Sequence, residues 1–131
     1  VIFVPRLPVG PLQTGVPNMP PQDTRFSVQG CSLGGSRITS PFPGQQISGN
    51  FTVLGSASIA NFNSYKLEVR PDFTNIYNFY SGSYSPVESG ALGQINASLF
   101  DPGLYWLRLV VVENSGNFVE PCAIPVIFVG Q

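Results

Sequence analysis

The sequence predicts an all-β sandwich of about seven strands with an extended, proline-rich N-terminal arm, and three observations lead there. From Ser36 onward, short runs of alternating apolar and polar residues are separated by clusters of Gly, Pro, Asn and Ser. No stretch sustains the apolar period of an amphipathic helix. Before that region, prolines at 5, 8, 11, 17, 20 and 21 forbid helix and discourage any central strand. Residues 1–30 therefore read as an arm and residues 31–131 as one domain, long enough to enclose a single hydrophobic core.

The arm opens with Val1, Ile2, Phe3 and Val4, β-branched or aromatic residues with no polar break. Such a short strand has two apolar faces and nowhere within the arm to bury them, which makes residues 1–9 a candidate donor strand for another sheet. In the domain, Ser36–Thr39 forms a first strand ended by Pro41 and Pro43. A second strand runs from Ile47 to Ala57, with Ile47, Phe51 and Val53 alternating against Ser48, Asn50 and Thr52. Over Ser64–Arg70, Tyr65, Leu67 and Val69 point one way while Lys66, Glu68 and Arg70 point the other. Ile76–Tyr84 reads as a hairpin turning at Ser81 and Gly82, and Ala91–Asn96 as a further short strand. Two long strands, Leu104–Glu113 and Cys122–Val129, close the domain across a turn at Asn114–Asn117.

Composition narrows the function. Charged residues are only 10% of the chain and the net charge is −1, with Arg6, Arg25, Arg37, Lys66, Arg70 and Arg108 scattered, so no basic stripe exists to bind nucleic acid. No apolar run approaches the length of a membrane-spanning helix, and no membrane insertion is expected. With no histidine, the usual general base and the commonest metal ligand are missing. The seven carboxylates include no close pair in sequence, although Glu113 and Glu120 flank one turn and could approach as a glycosidase pair would. Calcium-loop and phosphate-loop spacings are absent, so the expectation is no enzyme and no cofactor. Cys31 and Cys122, an even pair in a metal-poor chain, read better as a disulfide than as ligands, a nucleophile or two buried thiols, which points to an oxidising compartment. The sequence starts at Val1 without an initiator Met, as after removal of a targeting segment or after trimming, and the expected location is the cell surface or outside.

Asp101, Pro102, Gly103, Leu104 and Tyr105 place a tyrosine two residues after a turn glycine, as in the tyrosine corner of Greek-key sandwiches. Together with PGQQISGNFTVLGSASIANFNSYKLEV, SPVESGALGQI and GLYWLRLVVVENSGNFVEPCAI, this resembles the immunoglobulin-like (fibronectin III-like) domains of bacterial cell-surface and secreted proteins. The resemblance covers about residues 43–124, with Gly103, Tyr105, Leu107, Arg108, Gly116, Asn117, Pro121 and Cys122 the most specific positions, and leaves out the arm. It implies a Greek-key sandwich, an extracytoplasmic location and a spacer, adhesive or structural role without shared catalytic chemistry. Fold alone does not give function.

One anomaly bears on partners. If Tyr105, Leu107, Leu109 and Val111 face the core, then Trp106, Val110 and Val112 lie outside beside Arg108, and the last strand leaves Ile127 among apolar groups on both of its faces. The arm's Val1–Val4 and this apolar face are therefore read as a subunit interface. The leading expectation is a structural subunit of an extracellular filament or pilus-like appendage, a homopolymer assembled head-to-tail by strand addition. Folding the arm back over the same face in cis would satisfy it equally. A second reading is an adhesive module that binds glycan or a cell-surface protein, with Tyr77, Tyr80 and Tyr84, beside Phe73 and Phe79, as the candidate ligand face. A third is a passive spacer in a larger secreted protein. Asn50-Phe51-Thr52 and Asn96-Ala97-Ser98 match the glycosylation pattern, which recurs by chance.

Overall fold

The computed structural model describes residues 27–130, so the candidate donor strand at residues 1–9, Val1, Ile2, Phe3 and Val4 included, lies outside the described residues. Among the described residues eight strands form two sheets: β1 (Ser36–Ser40), β2 (Gln45–Ile47), β3 (Asn50–Ala57), β4 (Phe62–Pro71), β5 (Asn78–Ser83), β6 (Val87–Asn96), β7 (Gly103–Glu113) and β8 (Cys122–Phe128). One sheet has the order β1-β3-β6 and the other β2-β8-β7-β4-β5. All pairings are antiparallel except β2 with β8. A 3-10 turn, Ala97–Leu99, links β6 to the corner before β7.

The two sheets share one core, to which β1, β3 and β6 give Ile38, Val53, Leu92 and Ile95, and the larger sheet gives Leu67, Val69, Leu107, Leu109, Ile124, Val126 and Phe128. Strict alternation on β7 sends Tyr105, Leu107, Leu109 and Val111 inward. At one end of the sandwich Phe100 packs against Tyr105 and Phe128, with ring centroids 5.4 Å and 4.9 Å away, and Tyr105 stacks on Phe128 at 4.6 Å. The Tyr105 hydroxyl donates 2.7 Å to the Asp101 carbonyl, four residues upstream in the corner that launches β7.

Three expectations about the strands need correction. The second strand is two: β2 joins the larger sheet and β3 the smaller, with the chain turning at Ser48 and Gly49, where φ is +62° and glycine carries no steric penalty. The hairpin at Ser81 and Gly82 does not exist, because the whole of Asn78–Ser83 pairs with β4 as one edge strand. Gly82 serves a close approach instead: a Cβ there would stand 2.7 Å from the Tyr65 carbonyl oxygen. The short strand at Ala91–Asn96 is the end of a ten-residue β6, whose polar, half-open first half carries little apolar alternation.

Cys31 and Cys122 are disulfide-bonded across a sequence separation of 91, tying the segment before β1 to the start of β8. The chain joins the sheet two residues before Cys31, where Gln29 and Ala123 exchange backbone hydrogen bonds of 2.9 Å and 2.8 Å. In the chain-entropy picture, closing a loop this long restricts the unfolded state by roughly 4–5 kcal/mol. Replacing both cysteines by alanine should therefore lower the urea midpoint by an amount equivalent to several kcal/mol, with the far-ultraviolet β signature retained at low temperature. An unchanged midpoint would remove the disulfide from the stability of the domain.

Candidate functional site

The outer face of the larger sheet is built around alternating charges. Glu68 on β4 and Arg108 on β7 are cross-strand partners, as are Arg70 and Trp106. Arg108 donates from Nε to Glu68 Oε1 at 2.8 Å and from its second nitrogen to the same oxygen, while Lys66 Nζ lies 3.4 Å from Glu68 Oε2. Glu68 is 7% exposed, so this carboxylate is held by two cations rather than by water. Above these groups the segment between β4 and β5 folds back over the sheet. Trp106 Nε1 donates to Asp72 Oδ1 at 2.9 Å, and Arg70 donates to the carbonyls of Pro71, Asp72 and Thr74. The Arg70 guanidinium lies 5.5 Å from the Trp106 ring centroid and 5.3 Å from that of Tyr77, and the Arg108 guanidinium lies 3.8 Å from Tyr77.

This layer corrects the expectation of an uncovered greasy face. Trp106 is 4% and Val110 5% exposed, outside the inter-sheet core, while Val112 and Ile127 are half-buried. Trp106 is sheltered by the chain's own Arg70 and Asp72. Val110 sits opposite Lys66, whose ammonium turns to Glu68. Glu68, Arg70 and Arg108 share the outward phase of Trp106, and that shared phase is the signal in the sequence from which the layer could have been found.

The three tyrosines of the candidate ligand face do not form a row. Tyr77 is half-buried between Arg70 and Arg108. Tyr80 faces the interior, its hydroxyl accepting a 2.9 Å hydrogen bond from the Asn96 backbone N–H and its ring 6.0 Å from that of Phe100. Tyr84 alone stands in solvent. The exposed apolar surface lies elsewhere. The five most exposed large apolar side chains among the described residues are Phe73, Ile76, Phe79, Tyr84 and Leu99, from 67% to 88% accessible. Phe73 and Ile76 belong to the segment leading into β5, Phe79 to β5, and Tyr84 follows it.

Hollows open on both faces of β5. On the inner side, a cleft of about 300 Å³ is lined by Val69, Tyr80, Leu99, Phe100 and Tyr105. On the outer side, one of about 260 Å³ is lined by Lys66, Phe79, Gly82, Ser83 and Tyr84. Asp101 also lines the inner cleft, and among the described residues no three Cys, Asp or Glu side chains could hold a metal. Glu113 and Glu120 have separate serine partners, Ser115 and Ser32. The Asn96 side chain accepts from the Ser98 backbone N–H and hydroxyl, so the second glycosylation-like pattern serves as a local cap.

Two measurements probe these groups. Burial, reinforced by the Asp101 carboxylate, pushes the Tyr105 hydroxyl above its ordinary value near 10. The folded state then holds this proton more tightly than the unfolded one, so the resulting stability is full below pH 10 and is lost as pH rises through the folded value. Wild type should exceed Tyr105→Phe by about 1 kcal/mol at pH 7–9, and the gap should shrink above pH 10; a gap independent of pH would overturn the assignment. Glu68→Ala should cost about 1–3 kcal/mol in urea unfolding by stranding Arg108, and a cycle with Arg108→Ala should show coupling near 1 kcal/mol. No family model, curated protein or solved structure matches the chain.

Proposed function

We propose that this chain is an immunoglobulin-like structural subunit of an extracellular filament, joined head-to-tail by addition of its N-terminal segment to a sheet of the next copy. The exposure of Phe79 on β5 and of Tyr84 just after it, beside a strand that holds no charge or proline, carries this reading. Apolar side chains exposed at an open sheet edge mark a surface that another chain covers. The strand order, with β1 and β2 divided between the sheets and β2 parallel to β8, supports the immunoglobulin-like description. So does the Tyr105 hydroxyl returning to its own corner. The Cys31–Cys122 disulfide favours an oxidising location outside the cell.

A second reading, an adhesive module, has one observation in its favour. Phe79 and Tyr84 flank the outer hollow above Gly82, and two exposed rings with Lys66 and Ser83 nearby suit the apolar face and hydroxyls of a sugar. The two readings separate on the arm. Deleting residues 1–9 should leave a folded, disulfide-bonded domain with an unchanged melting temperature that no longer polymerises in electron microscopy or sizing. Normal polymers from that truncation, or a wild-type chain that remains a 14.1 kDa particle at high concentration, would count against the filament.

A further inference from the structure

The strand edges of the two sheets are not equally open. On β1, the Ile38 N–H donates 3.3 Å to the disulfide sulfur of Cys122, and the Ser36 N–H donates to Leu33. On β6, the Leu92 carbonyl accepts from the Tyr65 hydroxyl at 2.7 Å and the Asn96 N–H donates to the Tyr80 hydroxyl, so side chains from the opposite sheet occupy that edge. The other edge strand of the larger sheet, β2, is only three residues long, its Gln45 N–H already donates to the Phe42 carbonyl, and it covers β8 at Val126–Phe128 while Gln29 covers Ala123. β5 pairs with β4 on one side, and among the described residues no backbone partner lies along its other side. Its sequence, Asn78–Ser83, contains none of the charges or prolines that usually protect an edge, and its one irregularity is the register shift at Tyr80.

From these edges we infer that β5 is the acceptor strand, and that its occupant is the segment Val1–Val4 of a second copy, a deepening that rests on the filament reading. The match is one of shape as well as backbone. An added strand sends alternate side chains to opposite faces of the sheet. The β5 edge has a hollow on each face, the inner one floored by Val69 and Phe100 and the outer one walled by the rings of Phe79 and Tyr84 with Lys66 and Ser83 beside them. Val1–Val4 is apolar at all four positions, so it fills both hollows in either phase, whereas an ordinary half-polar strand would satisfy one. Pro5 and Pro8 lack backbone donors and end the pairing after four residues, within the length of the six-residue β5. The 22 residues from Pro5 to Phe26 reach roughly 75 Å when extended, enough to cross from one copy to the next.

Amide hydrogen exchange on the full chain tests this, comparing assembled with dilute protein and wild type with Phe79→Lys, which places a charge on an exposed edge position. Assembly should slow exchange of outward amides within Asn78–Ser83 by about tenfold or more, leaving Leu92–Asn96 and Arg37–Ile38 unchanged. Phe79→Lys should abolish assembly at an unchanged melting temperature. Should wild type assemble with the new protection on β6 or β1, or should Phe79→Lys assemble normally, the acceptor assignment is overturned while the filament stands. Protection of β5 in a concentration-independent monomer would mean that the arm adds in cis and would overturn the exchange between copies. A wild-type chain that neither assembles nor protects β5 fails the filament reading itself.

Discussion

Strand β7 is buried on both sides, and that constraint organises the molecule. Its inward row, Leu107, Leu109 and Val111, is fully buried against the smaller sheet. Its outward row, Trp106, Arg108 and Val110, alternates apolar and charged groups, so the sheet's outer surface needs both an apolar cover and counter-charges. The segment after β4 supplies a ring, Tyr77, over the guanidinium of Arg108 and an acceptor, Asp72, for the indole N–H of Trp106, and β4 supplies the counter-charge through Glu68. A guanidinium that pairs with a carboxylate on one side and lies against an aromatic ring on the other suits this position better than lysine would. The layer therefore fixes the path from β4 to β5 as well as the face beneath it.

The inner alternation of β4 and β7 was legible in the sequence because a period of two with one buried face leaves an unambiguous pattern. The tie between Cys31 and Cys122 was legible for a different reason, the scarcity of any other role for two cysteines in a chain without histidine. What escaped was long-range or weakly patterned. The division of Ile47–Ala57 between two sheets depends on a turn at Gly49 that interrupts an otherwise continuous alternation. The outer polar layer depends on pairing Glu68 with Arg108, forty residues apart in the chain: the outward phase of each is local, but that β4 lies beside β7 in this register is not. The three tyrosines near β5 take separate surroundings that no period in the sequence reveals: Tyr77 lies against Arg70 and Arg108 before the strand, Tyr80 reaches the Asn96 N–H, and Tyr84 follows the strand in solvent.

Polar groups do two kinds of work at the margins of the sandwich. The hydroxyls of Tyr65 and Tyr80 reach across the core to the backbone of β6, joining the two sheets by hydrogen bonds in addition to apolar packing. The same bonds remove unpaired backbone groups from a sheet margin. The Cys122 sulfur does likewise for β1. An edge can therefore be closed by side chains from the opposite layer without charge or proline, and the low charge content of the chain is compatible with selective rather than general stickiness.

The position of the disulfide has a mechanical consequence. Cys31 and Cys122 lie near the two ends of the folded domain, 91 residues apart in sequence, yet they are one covalent step apart in space. Tension applied between the chain's termini runs along the N-terminal segment to Cys31, across the sulfur bridge and out along β8. The strands from β1 to β7 lie in a closed loop parallel to that path and bear none of the pull. Stretched out, that loop would lengthen the chain by roughly 300 Å, and the bridge withholds that slack, so the domain is inextensible under end-to-end load for as long as the sulfurs stay oxidised.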